Sequence, residues 1–324
     1  MILVGLLAIT LPISLVFWTT SVISSWYSED VVPPSPLRWF TSLFVPLAFA
    51  VWGYRKRSLN LSGALTGFGL GFVLTFSNYS FLAALVTFFV SSSKATKYRS
   101  ARKRKFEPEF KEGGQRNWVQ VLCNGGVATE LALLYVLECG VGEKVINPRH
   151  SWLGSMLALG VMSALAESCG DTWASELGTV CANGDPYLVT TFRRVPKGTN
   201  GGVSLTGTVF SALGGALVGS VYYLTLLLCV SRDTLVDSPP QWPLVVAGAA
   251  AGLLGSFIDS VLGATLQYTG VDASTGRIVE EPRPGVKHVS GVAILDNHSV
   301  NLITNLATAL MIPWLTLHLF PLFH

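Results

Sequence analysis

Charge is what this chain has least of. Only 13% of its 324 residues are Asp, Glu, Lys or Arg, while half are apolar; ordinary soluble domains are roughly a quarter charged. The deficit is concentrated. Met1 to Ser28, Ser58 to Ser93, Gly198 to Ser231 and Ser238 to Ile258 hold no charged side chain at all. About 20 apolar residues cross a bilayer as a helix, so soluble, fibrous and disordered classes are excluded. Cysteine is also scarce: Cys123, Cys139, Cys169, Cys181 and Cys229 form no CxxC pair, which argues against a disulfide framework and for inert buried thiols. There is no GxSxG elbow, no HExxH and no Cys/His metal spacing, and of the five histidines only His298 falls near other polar groups. The first 26 residues lack a basic n-region and a small-residue cleavage site, so they read as a retained span.

What charge there is marks out the crossings. Apolar segments separated by proline, glycine and charge give nine expected spans, at about 2–24, 38–54, 59–76, 79–93, 118–140, 151–171, 203–230, 242–263 and 292–320. The division between the third and fourth rests on Ser77-Asn78 alone. Loops 55–57, 94–116, 171–202 and 264–290 carry 18 of the 22 Lys and Arg, leaving Arg38, Lys144, Arg149 and Arg232 for the other side. Basic residues accumulate in cytoplasmic loops, so the N-terminus is expected in the cytoplasm and the C-terminus across the membrane. The expected fold class is therefore all-α and polytopic. Residues 1–54 make spans without motifs, and 55–324 form one catalytic transmembrane domain with cytoplasmic loops 94–116, 171–202 and 264–290. The basic run Lys94 to Lys105 lacks the interleaved aromatics of a nucleic-acid platform and reads as an anchor to anionic lipid. No nucleic-acid partner is expected.

Polar groups inside spans are costly in hydrocarbon and so point to function. Asn124 and Glu130 in the fifth span, Glu167 and Asp171 in the sixth, Asp259 and Ser260 in the eighth, and Asp296, Asn297, Asn301 and Asn305 in the ninth lie toward one leaflet, Glu130 being the deepest. Glu167 and Asp171 share a helix face, as do Asn297, Asn301 and Asn305. Interhelical hydrogen bonding is the plainer reading of the asparagines, Asn305 above all. Between the sixth and seventh spans runs Arg193-Arg194-Val195-Pro196-Lys197-Gly198-Thr199-Asn200-Gly201-Gly202. Guanidinium and ammonium groups bind phosphate oxygens, glycines let backbone N–H groups turn to an anion, and the next helix offers its positive end. The order is not that of a Walker A loop, and a basic loop capped by Thr199 or Asn200 is the plainer alternative. Upstream, a helix break at Gly170 would let Glu167, Asp171 and Glu176 converge as oxygen ligands for Mg²⁺. Asp259-Ser260, with Ser256 before it, echoes Asp171-Thr172 with Ser168. The lack of an evident general base fits transfer onto a lipid phosphate, already an anionic nucleophile, better than onto an alcohol.

Three stretches carry a family resemblance: Asn124-Gly-Gly-Val-Ala-Thr-Glu130, Ala166-Glu-Ser-Cys-Gly-Asp-Thr-Trp-Ala-Ser-Glu-Leu-Gly178 and Lys197-Gly-Thr-Asn-Gly-Gly-Val-Ser204. They resemble the transmembrane protein 19 family, which includes the plant phytyl-phosphate kinase of vitamin E synthesis, and the resemblance covers most of the chain from about residue 55 onward. It implies an enzyme that phosphorylates an isoprenoid lipid phosphate from a nucleoside triphosphate, CTP or ATP. More remotely, Asp171-Thr172-x-Ala174-Ser175 followed by Lys197-Gly198-Thr199 is similar to the pattern of dolichol kinases and phosphatidate cytidylyltransferases. By that similarity Asp171 and Glu176 serve Mg²⁺ and nucleotide, while Arg193, Arg194 and Lys197 bind phosphates.

Together these readings describe a Mg²⁺-dependent lipid-phosphate kinase at the cytoplasmic leaflet. Asp171, Glu167 and Lys197 are the expected catalytic residues, and Glu167, Asp171, Glu176 and Asp259 the expected metal ligands. Arg193, Arg194, Lys197, Gly198, Thr199, Asn200, Gly201 and Gly202, with Asn124, Asn297 and Asn301, are expected on the phosphates. The rivals are a transporter or scramblase, for which Glu130 speaks, and a cytidylyltransferase using the same site. The absence of other targeting signals points to the endoplasmic reticulum or another endomembrane.

Overall fold

Helices in this chain begin where a side chain can hold an orphan N–H group. The computed structural model describes residues 2–27, 34–98, 114–182 and 184–319, and these are mostly helical. In order they form α1 (Ile2–Tyr27), α2 (Pro36–Arg55), α3 (Leu61–Ser77), α4 (Tyr79–Lys97), α5 (Trp118–Cys139), α6 (Trp152–Trp173), α7 (Leu205–Cys229), a short α8 (Arg232–Val236), α9 (Pro243–Leu266) and α10 (Asn297–Leu319). Ser35, Asn60, Asn117, Ser151 and Ser204 cap α2, α3, α5, α6 and α7, Asn117 in a reciprocal box with Gln120. The N–H of Ser299 donates to Asp296 (2.8 Å) at the start of α10. A single extended residue separates α3 from α4. Asn78 (φ −164°) closes the first helix, and its side chain accepts from the Ser80 N–H (2.7 Å) to open the second.

The charge-free runs of the sequence thus lie on helices. Five of these, α5, α6 continued to Cys181, α7, α9 and α10, are long and apolar enough to cross a bilayer. The chain is a polytopic α-helical integral membrane protein. α6 is its centre: α5, α7, α9 and α10 all pack on it, and every residue from Leu157 to Gly170 is buried. At the outer layer, Trp18 of α1 meets Phe76 of α3 edge-on, with ring centroids 5.1 Å apart.

α6, α7 and α9 touch backbone to backbone. A Cβ at Gly170 would lie 2.6 Å from Gly252 Cα and 2.7 Å from the Ser211 carbonyl oxygen, and Gly215 abuts the Gly248 carbonyl. Lipid is as apolar as leucine, so helices associate in it through close packing of small residues. This corrects the expected role of Gly170. α6 runs unbroken through it, because the glycine serves helix crossing, and the helix widens only later into a π turn over Ala174–Gly178.

α6 with α7, and α9 with α10, make two helix–loop–helix units whose loops carry small sheets. In the first, β1 (Tyr187–Leu188) pairs antiparallel with β2 (Gly202–Val203). In the second, β3 (Thr269–Asp272) lies between β4 (Ile278–Val279) and β5 (Val286–Ser290), both antiparallel to it. The Asn200 N–H donates to Thr269 Oγ1 (3.3 Å), joining the two loops. The described parts of the four basic loops gather at this end; there Lys97 Nζ donates to the Lys56 carbonyl (2.5 Å) and the Ser58 hydroxyl (2.9 Å). Most of the basic run Lys94 to Lys105, from residue 99 on, lies outside the described residues. At the opposite end a buried Arg38–Glu143 pair (2.9 Å) is capped by the Tyr79 ring, 4.2 Å from the guanidinium carbon.

Candidate active site

Where the basic loops meet, the helix ends enclose a polar chamber of about 1060 Å³. Its walls come from the starts of α5, α7 and α10 and the ends of α6 and α9, closed by the 197–203 loop and Glu280. The helices that start here turn their positive ends inward, while those that end here bring the acids.

Asp171 and Asp259 hold matching places on α6 and α9. In each case the next hydroxyl bonds the carbonyl four residues back, Thr172 to Ser168 (2.7 Å) and Ser260 to Ser256 (2.8 Å). The short echo in the sequence is therefore a local structural repeat. Both carboxylates line the chamber, and Asp259 lies within electrostatic reach of Asp171 and Glu167. Its Oδ2 is buried with no hydrogen-bond partner among the described residues. A carboxyl oxygen buried beside other acids needs a cation or a proton to offset it. Glu176, on the π turn, also reaches the wall. Among the described residues no three His, Cys, Asp or Glu side chains gather into a metal cage.

Glu167 sits one turn deeper, 3% exposed and off the chamber wall. Its Oε2 accepts from Asn305 Nδ2 (2.7 Å), which also reaches the Ala164 carbonyl and the Ser168 hydroxyl (both 2.8 Å). Glu167, expected as a metal ligand, is thus a buried tie between α6 and α10. The asparagine stripe divides in the same way: Asn305 bridges helices, whereas Asn297 and Asn301 face the chamber. Asn124 lines it too, its Nδ2 donating to the Gln120 carbonyl (2.7 Å). Glu130, farther along α5, does not reach the chamber wall.

The glycine-rich loop contributes less charge than its sequence implies. Gly198 and Gly201 take left-handed backbone (φ +89° and +79°), and Gly201 seats against Ser260 and Ala264 of α9, where no side chain fits. Lys197 lines the chamber, and its Nζ donates to the Ala182 carbonyl (2.9 Å), capping the last turn of α6. Arg193 and Arg194 do not join it. Both are exposed, and Arg194 lies over the Tyr187 ring at 5.7 Å, because the β1–β2 pairing turns that arm outward. Thr199 bonds the Pro196 carbonyl (2.7 Å), and Ser204, not Thr199 or Asn200, caps α7. Asn200 turns its Nδ2 into the wall, buried and with no partner among the described residues.

A cation that the sequence shows only as loop charge lines the chamber where those arginines do not. Arg116 is clamped by its backbone, donating to the Ser58 carbonyl (3.0 Å) and accepting from the Asn60 N–H (3.0 Å). Its half-buried guanidinium donates to the Ser93 hydroxyl (3.4 Å). Burial pushes it below its usual range, against the opposing field of Glu176, yet a guanidinium remains charged. No local pattern singles out Arg116, because its position depends on the α2–α3 turn lying against the start of α5.

A multi-helix bundle holding acids, amides and a half-buried arginine in one chamber defines a polytopic membrane protein with a polar site built into one membrane face. The chain belongs to the integral membrane protein DUF92 family, whose profile it matches over residues 44–309. It is 38% identical to Protein PGR of Arabidopsis thaliana over 279 residues, 86% of this chain and 96% of that one. It is 28% identical to the chloroplastic Protein VTE6 of the same plant over 211 residues, 64% of this chain and 56% of that one. An uncharacterized membrane protein of Methanocaldococcus jannaschii is 26% identical over 236 residues, 72% and 86% of the two chains. No solved structure matches the chain. The family relationship read from the three motifs stands. The endoplasmic-reticulum expectation is not supported: one relative is chloroplastic by name and another comes from an archaeon, a cell without that organelle.

Proposed function

We propose that this protein is a lipid-phosphate kinase. It transfers the terminal phosphoryl group of a nucleoside triphosphate, CTP or ATP, to an isoprenoid monophosphate at the membrane face that carries the basic loops, the cytoplasmic one by the positive-inside rule. The observation that carries this reading is the chamber, lined both by Asp171 and Asp259 and by the starts of α5, α7 and α10. Phosphoryl transfer relies on positioning and charge neutralisation more than on covalent chemistry by the protein, and this lining supplies both. The volume of about 1060 Å³ exceeds the roughly 300–1,000 Å³ of a pocket for one small ligand, leaving room for a nucleotide and a lipid headgroup together.

An oxygen of the lipid phosphate attacks the γ-phosphorus, the bond to the β–γ bridging oxygen breaks, and the nucleoside diphosphate leaves. The acceptor is already an anion, so no base is required. Lys197, the Gly198–Gly202 backbone and the free Asn200 amide hold the nucleotide phosphates. Arg116, Asn124, Asn297 and Asn301 hold the acceptor. The buried Asp259 oxygen and neighbouring Asp171 fit Mg²⁺, which takes one or two carboxylates together with substrate phosphates and keeps several waters. Mg²⁺ held by these carboxylates would supply neutralisation of the charge that develops on the transferring phosphoryl group. Glu167 and Asn305 fix α6 against α10 and so set where Asp171 stands.

The test uses purified protein in nanodiscs with Mg²⁺, γ-labelled CTP or ATP, and prenyl monophosphates. Labelled prenyl diphosphate should form, and Asp171→Asn should lower turnover roughly 100-fold or more without loss of expression. Absence of diphosphate with either nucleotide, or normal turnover in Asp171→Asn, refutes the assignment. Release of pyrophosphate would mark nucleotidyl transfer instead, and lipid or ion flux in liposomes without product would mark transport.

A further inference from the structure

A second cavity adjoins the chamber. It is an apolar slot of about 80 Å³ among α2, α3, α4 and α5, with walls that include Pro46, Gly67, Leu70, Leu82, Leu85 and Phe89. Arg116, Gln120 and Asn124 line this slot and the polar chamber alike. One arginine and two amides therefore form the wall where apolar space meets polar space. The slot reaches far from the helix ends: Leu82 lies 15 residues from Lys97 at the end of α4, roughly 22 Å of helix rise. Arg116 is held by its backbone at the junction, with the Ser93 hydroxyl on its guanidinium and the Glu176 carboxylate within electrostatic reach.

The shape fits an amphiphile whose anionic head sits at Arg116 and whose branched tail leaves through the slot. An engineered apolar cavity of roughly 150 Å³ accepts benzene, so about 80 Å³ suits one five-carbon unit and not a whole chain. The rest of the tail passes between α2 and α4, where Phe49 and Val86 continue the lining. On the other side, α6, α7 and α9 are sealed against each other by their glycine contacts. A guanidinium at this junction also distinguishes acceptors. A phosphate can take its paired N–H groups, whereas a prenol offers them a single neutral oxygen.

We propose that the slot seats the head-proximal isoprene unit of the lipid monophosphate, with Arg116, Gln120 and Asn124 holding its phosphate, so that substrate enters the chamber from between α2, α3 and α4. This rests on the lipid-phosphate reading of the chamber and adds where the acceptor binds and by which route it arrives.

Gly67 makes the proposal testable. Gly67 lines the slot, and the nearest neighbour to a Cβ there is Leu59 Cδ1 at 3.9 Å, so Gly67→Leu starts from open space at the wall and takes up slot volume. Gly69, two residues along the same helix, is exposed with nothing within 4 Å, so Gly69→Leu is the matched control. The probe is a C20 prenyl monophosphate carrying a diazirine on its first isoprene unit, photolysed with full-length protein in nanodiscs without nucleotide. Saturable labelling should map to residues 59–71, 82–89 and 116–125. Gly67→Leu should weaken it about tenfold, the equivalent of losing two buried methylene contacts, while Gly69→Leu should not change it. Arg116→Gln should weaken saturable labelling by this phosphate probe and leave labelling by the matching diazirine prenol unchanged. Labelling on α7, α9 or α10, or undiminished labelling in folded Gly67→Leu, overturns the proposal. On unsubstituted protein, inorganic phosphate competing as well as a C5 prenyl monophosphate overturns it too. Slot labelling without diphosphate formation upholds the slot and refutes the kinase; diphosphate formation with labelling elsewhere does the reverse.

Discussion

Replacing Asn305 with leucine is the sharpest test of how α6 is held against α10. The Asn305 amide makes contacts of 2.7–2.8 Å with Glu167 Oε2, the Ala164 carbonyl and the Ser168 hydroxyl, and the residue is fully buried. An interhelical hydrogen bond in a membrane protein contributes about 0.6 kcal/mol on average, so three shared by one amide supply about 2 kcal/mol. Glu167 Oε2 keeps the Ser168 hydroxyl (3.1 Å) and the Ala164 carbonyl its helical N–H, so loss of the amide donor adds only about 1 kcal/mol. Against this, Asn305 Oδ1 is itself buried with no partner among the described residues, and removing it returns about 1 kcal/mol. Asn305→Leu should therefore destabilise the fold by about 2 kcal/mol, read from SDS-induced unfolding in mixed micelles followed by far-UV circular dichroism. In a Glu167→Leu background the same change should cost under about 1 kcal/mol, since apolar replacement of both partners is nearly neutral. Equal costs in the two backgrounds, within about 0.5 kcal/mol, would refute the idea that Asn305 acts through Glu167.

Other perturbations probe the remaining elements. Gly170→Ala should lower stability by about 2 kcal/mol or more, because its Cβ would lie 2.6 Å from Gly252 Cα; Gly69→Ala, with open space around it, should be neutral. A thermal melt that ranks the two equally would contradict the helix-crossing role. Arg38→Met strands the buried Glu143 carboxylate and should cost about 3–5 kcal/mol, with Arg38→Met/Glu143→Leu recovering most of it in the same melt. In the β3–β4 turn the Ser274 hydroxyl and N–H, the Thr275 N–H and Arg283 hold the Asp272 carboxyl well below the usual carboxylate range. A depressed folded pKa means that its contribution is complete above the unfolded value of about 4 and lost only as pH falls below it. Protection of the Ser274 and Thr275 amides from exchange should thus be equal at pH 7 and pH 5, and loss of protection within that window would contradict the assignment.

The spans could be read because the free energy of placing a side chain in hydrocarbon is nearly a local sum. Runs without charge had to become helices that satisfy their own backbone, and even the one-residue joint at Asn78 leaves its mark as a polar residue between apolar ones. Asp171 and Asp259 were legible for the same reason: an acid inside a span has few structural excuses. Gly170 was misread because its constraint comes from Gly252 and Ser211 on other helices. Arg193 and Arg194 looked like a cradle from spacing, but a two-residue strand pairing turns them to solvent. Arg116 was invisible as a site residue, since one more arginine in a basic loop carries no local signal.

From its chemistry along the chain alone, then, this protein was bound to be a helical membrane protein with its polar groups near one face, because the bilayer tests each segment separately. Which of those groups share a space is another matter. The backbone contact of α6, α7 and α9 sends Asp171 and Asp259 into one chamber, withdraws Glu167 beneath it, and leaves Arg116 between that chamber and an apolar slot. Those relations arise from the crossing of helices distant in sequence, where a single glycine contact moves every side chain beyond it.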